Sequence, residues 1–335
     1  MKRKEGFFIG LLLVMRYSLV AQEFPVQQQY LVNKFLLNPA YAGYLKCDEF
    51  RISHRQQWVG FDRGPMTPVI SYHGRVWQGL GVGAYVFGDR NGLTNQSGGQ
   101  LAVAYHINLS HAREVTHQLS FGLAMNYTYR WVNTSAFTDN VLIPNAGMSD
   151  PNVTGGGLLI PNFTTGVNYI NRNFFAGISA TNLMKNPVGL GELKNSTGAG
   201  EPYLPLSLFF NSGYYINLSP MWGIEPSATF KMDMNNRKQI DANMRIFYQS
   251  AFSKYVFFGV SLRSNINVPN LQTVMPMVGF KMDDLYFAFT YDVGLTSLQK
   301  YNYGSVGLML GYNICRGKRI ERAPCPAFRD KIIYK

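Results

Sequence analysis

The chain of 335 residues predicts an all-β fold, a membrane-spanning antiparallel β-barrel of about fourteen strands. Three observations carry this expectation. Apolar and aromatic residues alternate with small or polar ones over many short segments, the pattern of a strand with one greasy and one wet face. Charged residues are only 15% of the chain while aromatics reach 14%, with 33 glycines, 21 tyrosines and 23 phenylalanines. Mean hydropathy stays near zero, as expected when every second residue faces a polar interior. Finally, the connections tend to alternate between tight and long, as barrel turns do on the two sides of an outer membrane. A soluble β-sandwich has no reason to alternate its loops.

The first 21 residues, "MKRKEGFFIGLLLVMRYSLVA", have a basic start, an apolar middle and Ala21 at a cleavable position. They read as an export signal, with the mature chain starting at Gln22. The apolar part is shorter than the roughly 18 residues that a spanning helix requires, and Arg16 interrupts it. Residues 22–49 form a leader without a strand pattern. Tyr30, Leu31, Phe35 and Leu37 suit a short amphipathic helix stopping at Asn38, because Pro39 disfavours helical geometry in the residue before it. Such a helix would cover the periplasmic mouth or enter the lumen; an extended leader lying on the wall is the alternative.

Residues 50–314 form the barrel. Its expected spans are about 50–58, 67–76, 79–88, 98–107, 116–131, 162–171, 173–182, 205–216, 221–231, 239–248, 255–264, 272–281, 284–293 and 304–313, most near the 9 to 11 residues of a tilted strand. In "LSFGLAMNYTYRW", Leu119, Phe121, Leu123, Met125, Tyr127, Tyr129 and Trp131 share one face. Ser120, Gly122, Ala124, Asn126, Thr128 and Arg130 share the other. A charge on the second face, such as Asp292, is acceptable only in a wet lumen. Two outer connections, residues 132–161 and 183–204, exceed ordinary loop length and are expected to be functional or mobile.

"LLNPAYAG" and then "RQQWVGFDRGPMTPVISYHGRV" closely resemble the opening of the PorP/SprF family of type IX secretion system outer-membrane proteins. The matching positions are Asn38, Pro39, Ala40, Tyr41, Ala42, Gly43, Arg55, Gln56, Gln57, Trp58, Gly60, Phe61 and Pro65, with Thr67 and Ser71. The resemblance implies a bacterial outer-membrane location and a role in protein secretion and gliding. It also implies two kinds of partner: an exported surface protein such as an adhesin, and a peptidoglycan-associated periplasmic component. A transporter or channel for hydrophobic or small solutes is the alternative function.

On the first strand Arg51, Ser53, Arg55 and Gln57 are expected inward, with Phe50, Ile52 and Trp58 outward and Trp58 closing the strand at the interface. His54 and Gln56 then fall on the lipid face. A β-bulge before the turn "VGFDRGPMTP" is the expected remedy, a protein cover over that wall the alternative. The cysteines, Cys47, Cys315 and Cys325, face an oxidising compartment. Cys47 precedes the first strand and Cys315 follows the last, and these strands adjoin in a closed barrel. Cys47 can therefore pair with Cys315 or Cys325, or Cys315 with Cys325, and one thiol stays single in each case.

No catalytic, cofactor or metal site is expected. His111, Glu114 and His117 in "HAREVTH" are read as solvated polar residues of a turn, and a hydrolase would need a serine and a histidine placed together with a third orienting group. The glycines of 155–157 and 198–200 suit loop hinges. Removing the signal's four cations and one acid takes the formal charge from +12 to +9. The tail 315–335 holds seven cations and two acids, either a surface for anionic lipid or an acidic protein or simply a solvated end; export argues against nucleic acid.

Overall fold

The computed structural model describes residues 30–45, 47–110, 117–132, 157–187, 203–251, 254–267, 270–295 and 302–315. Its strands are β1 (Asp48–Gln56), β2 (Met66–Trp77), β3 (Leu80–Asn91), β4 (Thr94–Asn108), β5 (His117–Val132), β6 (Leu158–Asn171), β7 (Phe174–Thr181) and β8 (Ser207–Tyr214). They continue with β9 (Ile216–Asn217), β10 (Trp222–Asp233), β11 (Lys238–Ala251), β12 (Lys254–Asn265), β13 (Asn270–Met282), β14 (Leu285–Gly294) and β15 (Ser305–Ile314). The two-residue β9 continues β8 past Tyr215 along the same neighbour, β10, so the wall has fourteen staves. All strand pairings are antiparallel, and β15 pairs with β1, which closes the cylinder. No helix of the described residues is long and apolar enough to cross a membrane.

Alternation becomes sidedness once the sheet closes. Leu101, Val103, Tyr105, Leu123, Met125, Phe258 and Leu310 are exposed on the outside, whereas Gln100, Ser120, Asn168, Asp241 and Arg245 are buried on the inside. Lipid covers the first set; the second needs polar partners within the lumen. The tight connections Gln78–Gly79, Arg172–Asn173 and Asp283–Asp284 share a rim with Cys47 and Cys315, and this is the periplasmic rim. Arg172 and Asp283 take positive φ there, at 26° and 54°, as two-residue hairpin turns require.

Three expectations for the wall are corrected. First, β1 has no bulge: its register against β15 and β2 runs unbroken through His54 and Gln56. Arg51, Ser53 and Arg55 are buried and His54 is exposed outward, two residues from the end of the strand, near the polar rim where an imidazole is tolerated. Gln56 folds over the loop instead, its Nε2 donating to the carbonyls of Gln57 and Gly64. Second, β1 ends at Gln56, so Trp58 belongs to the loop, with φ of 51°. Third, two outer connections are tight rather than long. β3 runs on to Asn91 and pairs it with Thr94, and β10 and β11 meet across Met234 to Arg237, with Asn236 at φ 59°. These strands rise above the span that hydrophobicity alone marks out, because a polar hairpin continues its ladder freely in water.

Among its described residues the leader forms no α-helix. Lys34–Leu36 and Pro39–Tyr41 form two 3-10 turns joined at Leu37 and Asn38. Pro39 starts the second turn, where its missing N–H costs nothing. Asn38 stands before it with extended backbone, and its Oδ1 accepts from the Ala40 amide.

A plugged lumen as the candidate functional site

The described part of the leader, from Tyr30 onward, lies within the barrel. Phe35, Leu37, Asn38, Ala40, Tyr41 and Ala42 are all at most 2% exposed. Tyr30 sits toward the outer half, donating its hydroxyl to Asp241 Oδ2 at 2.8 Å, three residues from the outer start of β11. From there the chain descends to Gly43 and Cys47 at the periplasmic rim. The described leader therefore fills the lumen rather than lying on the outside of the wall.

One side of the wall receives the plug's backbone. A Cβ at Gly122 would overlap the Ala40 amide nitrogen, one at Gly81 the Ala42 carbonyl, and one at Gly166 the Asn38 side-chain amide. Gly122 and Gly166 are themselves cross-strand partners on β5 and β6, so the flat floor under Asn38 to Ala40 spans two strands. Asn38 then uses its whole side chain: besides accepting from Ala40, its Nδ2 donates to the carbonyls of Val167 at 3.1 Å and Ile178 at 3.2 Å. Ser179 Oγ donates to the Leu37 carbonyl, and Asn211 Nδ2 donates to the Tyr41 hydroxyl at 2.9 Å. Burial pushes the Tyr41 phenol up, so it stays neutral. Lys34 sits over the Phe175 ring with Nζ 3.2 Å from its centroid.

At the periplasmic end the plug's exit is gripped by side chains. Arg75 Nε donates to the Gly43 carbonyl at 2.9 Å, His106 Nε2 lies 2.9 Å from the Ala42 carbonyl, and the Gly43 amide points at His73 Nδ1. His73 Nε2 faces Glu49, which pairs with Arg51, and Arg51 also donates to Asn313 on β15. Gly43 takes φ of +67° and packs on the Gly74 carbonyl, which no side chain would permit. Cys47 and Cys315 are bonded, with Cα atoms 4.4 Å apart, stapling the start of β1 to the end of β15 just below the grip. Cys325 lies outside the described residues.

The other side of the lumen is charged. Asp241 accepts from Arg263 Nε and Nη2 at 3.0 and 2.9 Å, from Gln239, and from Tyr30, so its lone pairs are fully used. Desolvation first, then the Asp241 charge, pushes the Tyr30 phenol up and keeps it a donor. Arg245 pairs with Glu225 and donates to the Leu31 carbonyl at 3.3 Å. Arg55 pairs with Asp292. A small cavity beside Leu31 and Val32 is bordered by Arg55, Met275, Ala288 and Met309.

His106 Nδ1 and Ser120 Oγ are 2.7 Å apart, a serine and histidine within hydrogen-bonding reach. With Nε2 donating to the Ala42 carbonyl, Nδ1 is the acceptor and the serine hydroxyl its donor. Gln118 Nε2 lies 3.2 Å from the same ring nitrogen. Through Nε2 and the Ala42 carbonyl the histidine joins the grip on the plug's exit.

The two motif blocks are not brought together. Asn38 to Gly43 are the plug, whereas Trp58, Gly60, Phe61 and Pro65 belong to the outer β1–β2 loop. Between them Arg55 faces the lumen and Gln56 and Gln57 brace the loop base. Ser71 links back to the plug by accepting from Asn33 Nδ2 at 2.8 Å, and Thr67 donates to Asp89. His117 pairs with the Tyr169 hydroxyl, while His111 and Glu114 lie outside the described residues. Sequence reasoning misses the receiving residues: Gly81, Gly122, Gly166, Arg75, His106, Asn211 and Asp241. Their signal is glycine and amide on the non-lipid face of alternating strands.

A closed, antiparallel, fourteen-stave barrel with a lipid-facing exterior and an internal plug defines a bacterial outer-membrane barrel protein. The chain belongs to the family described as type IX secretion system membrane protein PorP/SprF, whose profile matches residues 19–312. It is therefore an outer-membrane component of that secretion system. No curated protein matches it. Among solved structures it is similar to the CymD monoaromatic hydrocarbon channel, at 12% identity and TM-score 0.51, covering 86% of this chain and 92% of that one. The TodX deltaS2S3 mutant monoaromatic hydrocarbon channel gives 11% identity and TM-score 0.50, with 85% and 94% covered. The Ralstonia pickettii toluene transporter TbuX gives 10% identity and TM-score 0.48, with 84% and 92% covered. At these identities the likeness to the two monoaromatic hydrocarbon channels describes the fold.

Proposed function

We propose that this protein is a non-catalytic scaffold of the secretion apparatus, supporting the export or surface anchoring of proteins such as adhesins. The observation that carries this is the seated plug, which fills the lumen with backbone gripped on both sides. With the plug seated, Asn38 to Ala42 stand where a continuous axial passage would run. In this reading the outer loops, residues 132–161 and 183–204 with the β1–β2 loop, meet the exported protein. Residues 1–21 direct export and are removed. The basic tail 315–335 meets a peptidoglycan-associated periplasmic component.

Three measurements test the reading. In planar bilayers the purified barrel should be nearly silent, and steady conductance or saturable uptake of an aromatic hydrocarbon would replace scaffolding with transport. In cells, removing the protein should strip exported proteins from the surface. An unchanged surface profile would reject the role. Deleting residues 316–335 should weaken recovery of periplasmic partners from solubilised membranes while the barrel remains heat-modifiable; equal recovery would acquit the tail.

A further inference from the structure

The plug descends through the lumen in one direction, and β2, which runs from its outer end at Met66 to its periplasmic end at Trp77, records that direction. Asn33 donates to Ser71, the Phe35 ring lies 5.0 Å from that of His73, and the Gly43 carbonyl accepts from Arg75. Later plug residues meet lower wall residues. At the top, Tyr30 reaches Asp241 and the next carbonyl, that of Leu31, accepts from Arg245. At the bottom, the exit at Gly43 leads to Cys47 and into β1. The chain that precedes Tyr30 therefore starts from the outer half of the lumen.

The way down from Tyr30 is closed. On the β8–β14 side the rings of Tyr215, Phe247, Phe257 and Tyr286, each close to the periplasmic end of its stave, are buried and linked in that order by centroid distances of 5.7, 5.7 and 6.2 Å. Arg245 lies over Phe247 and Phe257, and Arg51 over Tyr286, so this ring layer fills the space under Leu31. Tyr30, Leu31 and the four rings belong to one buried apolar cluster. On the opposite side the plug itself occupies the descent, with Phe35, Leu37 and Tyr41 at most 2% exposed. The cavity beside Leu31 and Val32 measures about 20 Å³, room for one water and not for a second segment of chain. The way up is short. Asp241 stands three residues from the outer start of β11, about 10 Å along the strand. With cleavage after Ala21, eight residues precede Tyr30, and at full extension they reach about 26 Å.

We propose that the chain preceding Tyr30 leaves the barrel by its outer mouth, so that the amino end of the processed protein belongs to the outer face and is open there to partners outside the cell. The plug then makes one more crossing of the membrane, inside the wall, from an outer amino end to a periplasmic anchor stapled by Cys47 and Cys315. An extracellular contact on that end is joined through a single chain to the grip of Arg75 and His106 at the opposite rim. This topology does not rest on the scaffold reading, and it holds equally for a barrel that anchors, secretes or transports.

The test reads thiol accessibility of the full-length protein in intact cells, with Cys325→Ser removing the odd cysteine. Glu23→Cys should react with a membrane-impermeant maleimide within about twofold of Asp62→Cys on the exposed β1–β2 loop. Gln78→Cys, in an exposed periplasmic turn, should stay below about a tenth of that until the cells are permeabilised. None of the three replaces a plug or wall contact, so each barrel should keep its heat-modifiable mobility. Gln27→Cys, nearer the mouth, should label more slowly than Glu23→Cys; the reverse order would show that the end turns back into the barrel and would overturn the proposal. Labelling of Glu23→Cys only after permeabilisation would place the amino end in the periplasm. Protection under both conditions, in a heat-modifiable barrel, would enclose it in the lumen. Either result rejects the outer amino end and leaves the scaffold reading standing, whereas an unchanged cell surface after deletion of the protein ends the scaffold role and leaves this topology untouched.

Discussion

The two sides of the lumen hold one plug by opposite means. Across β3 to β7 the wall withdraws its side chains, and the plug's backbone lies on Gly81 and Gly122 while the Asn38 side-chain amide lies on Gly166. Across β10 to β15 and β1 the wall extends long charged side chains, and Arg245 and Asp241 reach inward to Leu31 and Tyr30. The glycine side gives close packing without freedom to adjust, since a rigid backbone meets a rigid backbone. The charged side gives strength that depends on every partner being present, because removing one leaves an uncompensated ion out of water. Position is thus set by the first side and retention by the second.

That contrast can be broken from either side, and the charged side should give the larger loss. Asp241→Ala takes the carboxylate from the Arg263 guanidinium and from the Tyr30 hydroxyl, at a cost of about 3 kcal/mol. Thermal unfolding in detergent would register it, and a midpoint within about one degree of wild type would show that water in the lumen compensates the arginine. Gly122→Leu should cost about 2 kcal/mol by lifting Asn38 to Ala40 off their floor. Because the strand itself tolerates leucine, the sharper readout is conductance, which should appear in this variant; a silent bilayer would mean that the plug reseats.

Smaller effects sharpen the comparison. Asn38→Ala leaves the Val167 and Ile178 carbonyls and the Ala40 amide short of a partner, for about 1.5 kcal/mol, without opening the lumen. Conductance in this variant would show that one side chain, and not the glycine floor, sets position. Tyr30→Phe should be mildest, about 1 kcal/mol near neutral pH. Its signature is the pH dependence. The phenol's affinity for its proton is raised in the folded state, so its contribution is fully present below the unfolded value near 10 and fades as the solution becomes more alkaline. Wild type should lose stability above that point more steeply than Tyr30→Phe; parallel curves would show that the phenol is not buried beside Asp241 as the structure places it.

Much of the barrel is legible along the chain because lipid imposes a two-residue period that leaves its mark on every stave. Asp48 and Ile314, the first and last strand residues, fall within two positions of the expected limits. His54 departs from expectation because periodicity carries no depth: near the rim an outward imidazole meets water, and no bulge is needed. The hairpins at Asn91 and Asn236 escape notice for the same reason, since strands above the membrane are no longer apolar.

The sequence by itself determined the fold class, the direction in which each strand side chain points, and the membership of two motif blocks in one family. Those follow from local chemistry, since alternation, turn residues and a proline after Asn38 act within a few positions. Only the tertiary structure decided that "NPAYAG" is a plug and that "QQWVGF" is a braced outer rim, although the two lie close together in the chain. It also decided that glycines from β3, β5 and β6 form one floor. Such contacts join segments far apart in the chain, and no local pattern records which distant backbone a missing side chain makes room for.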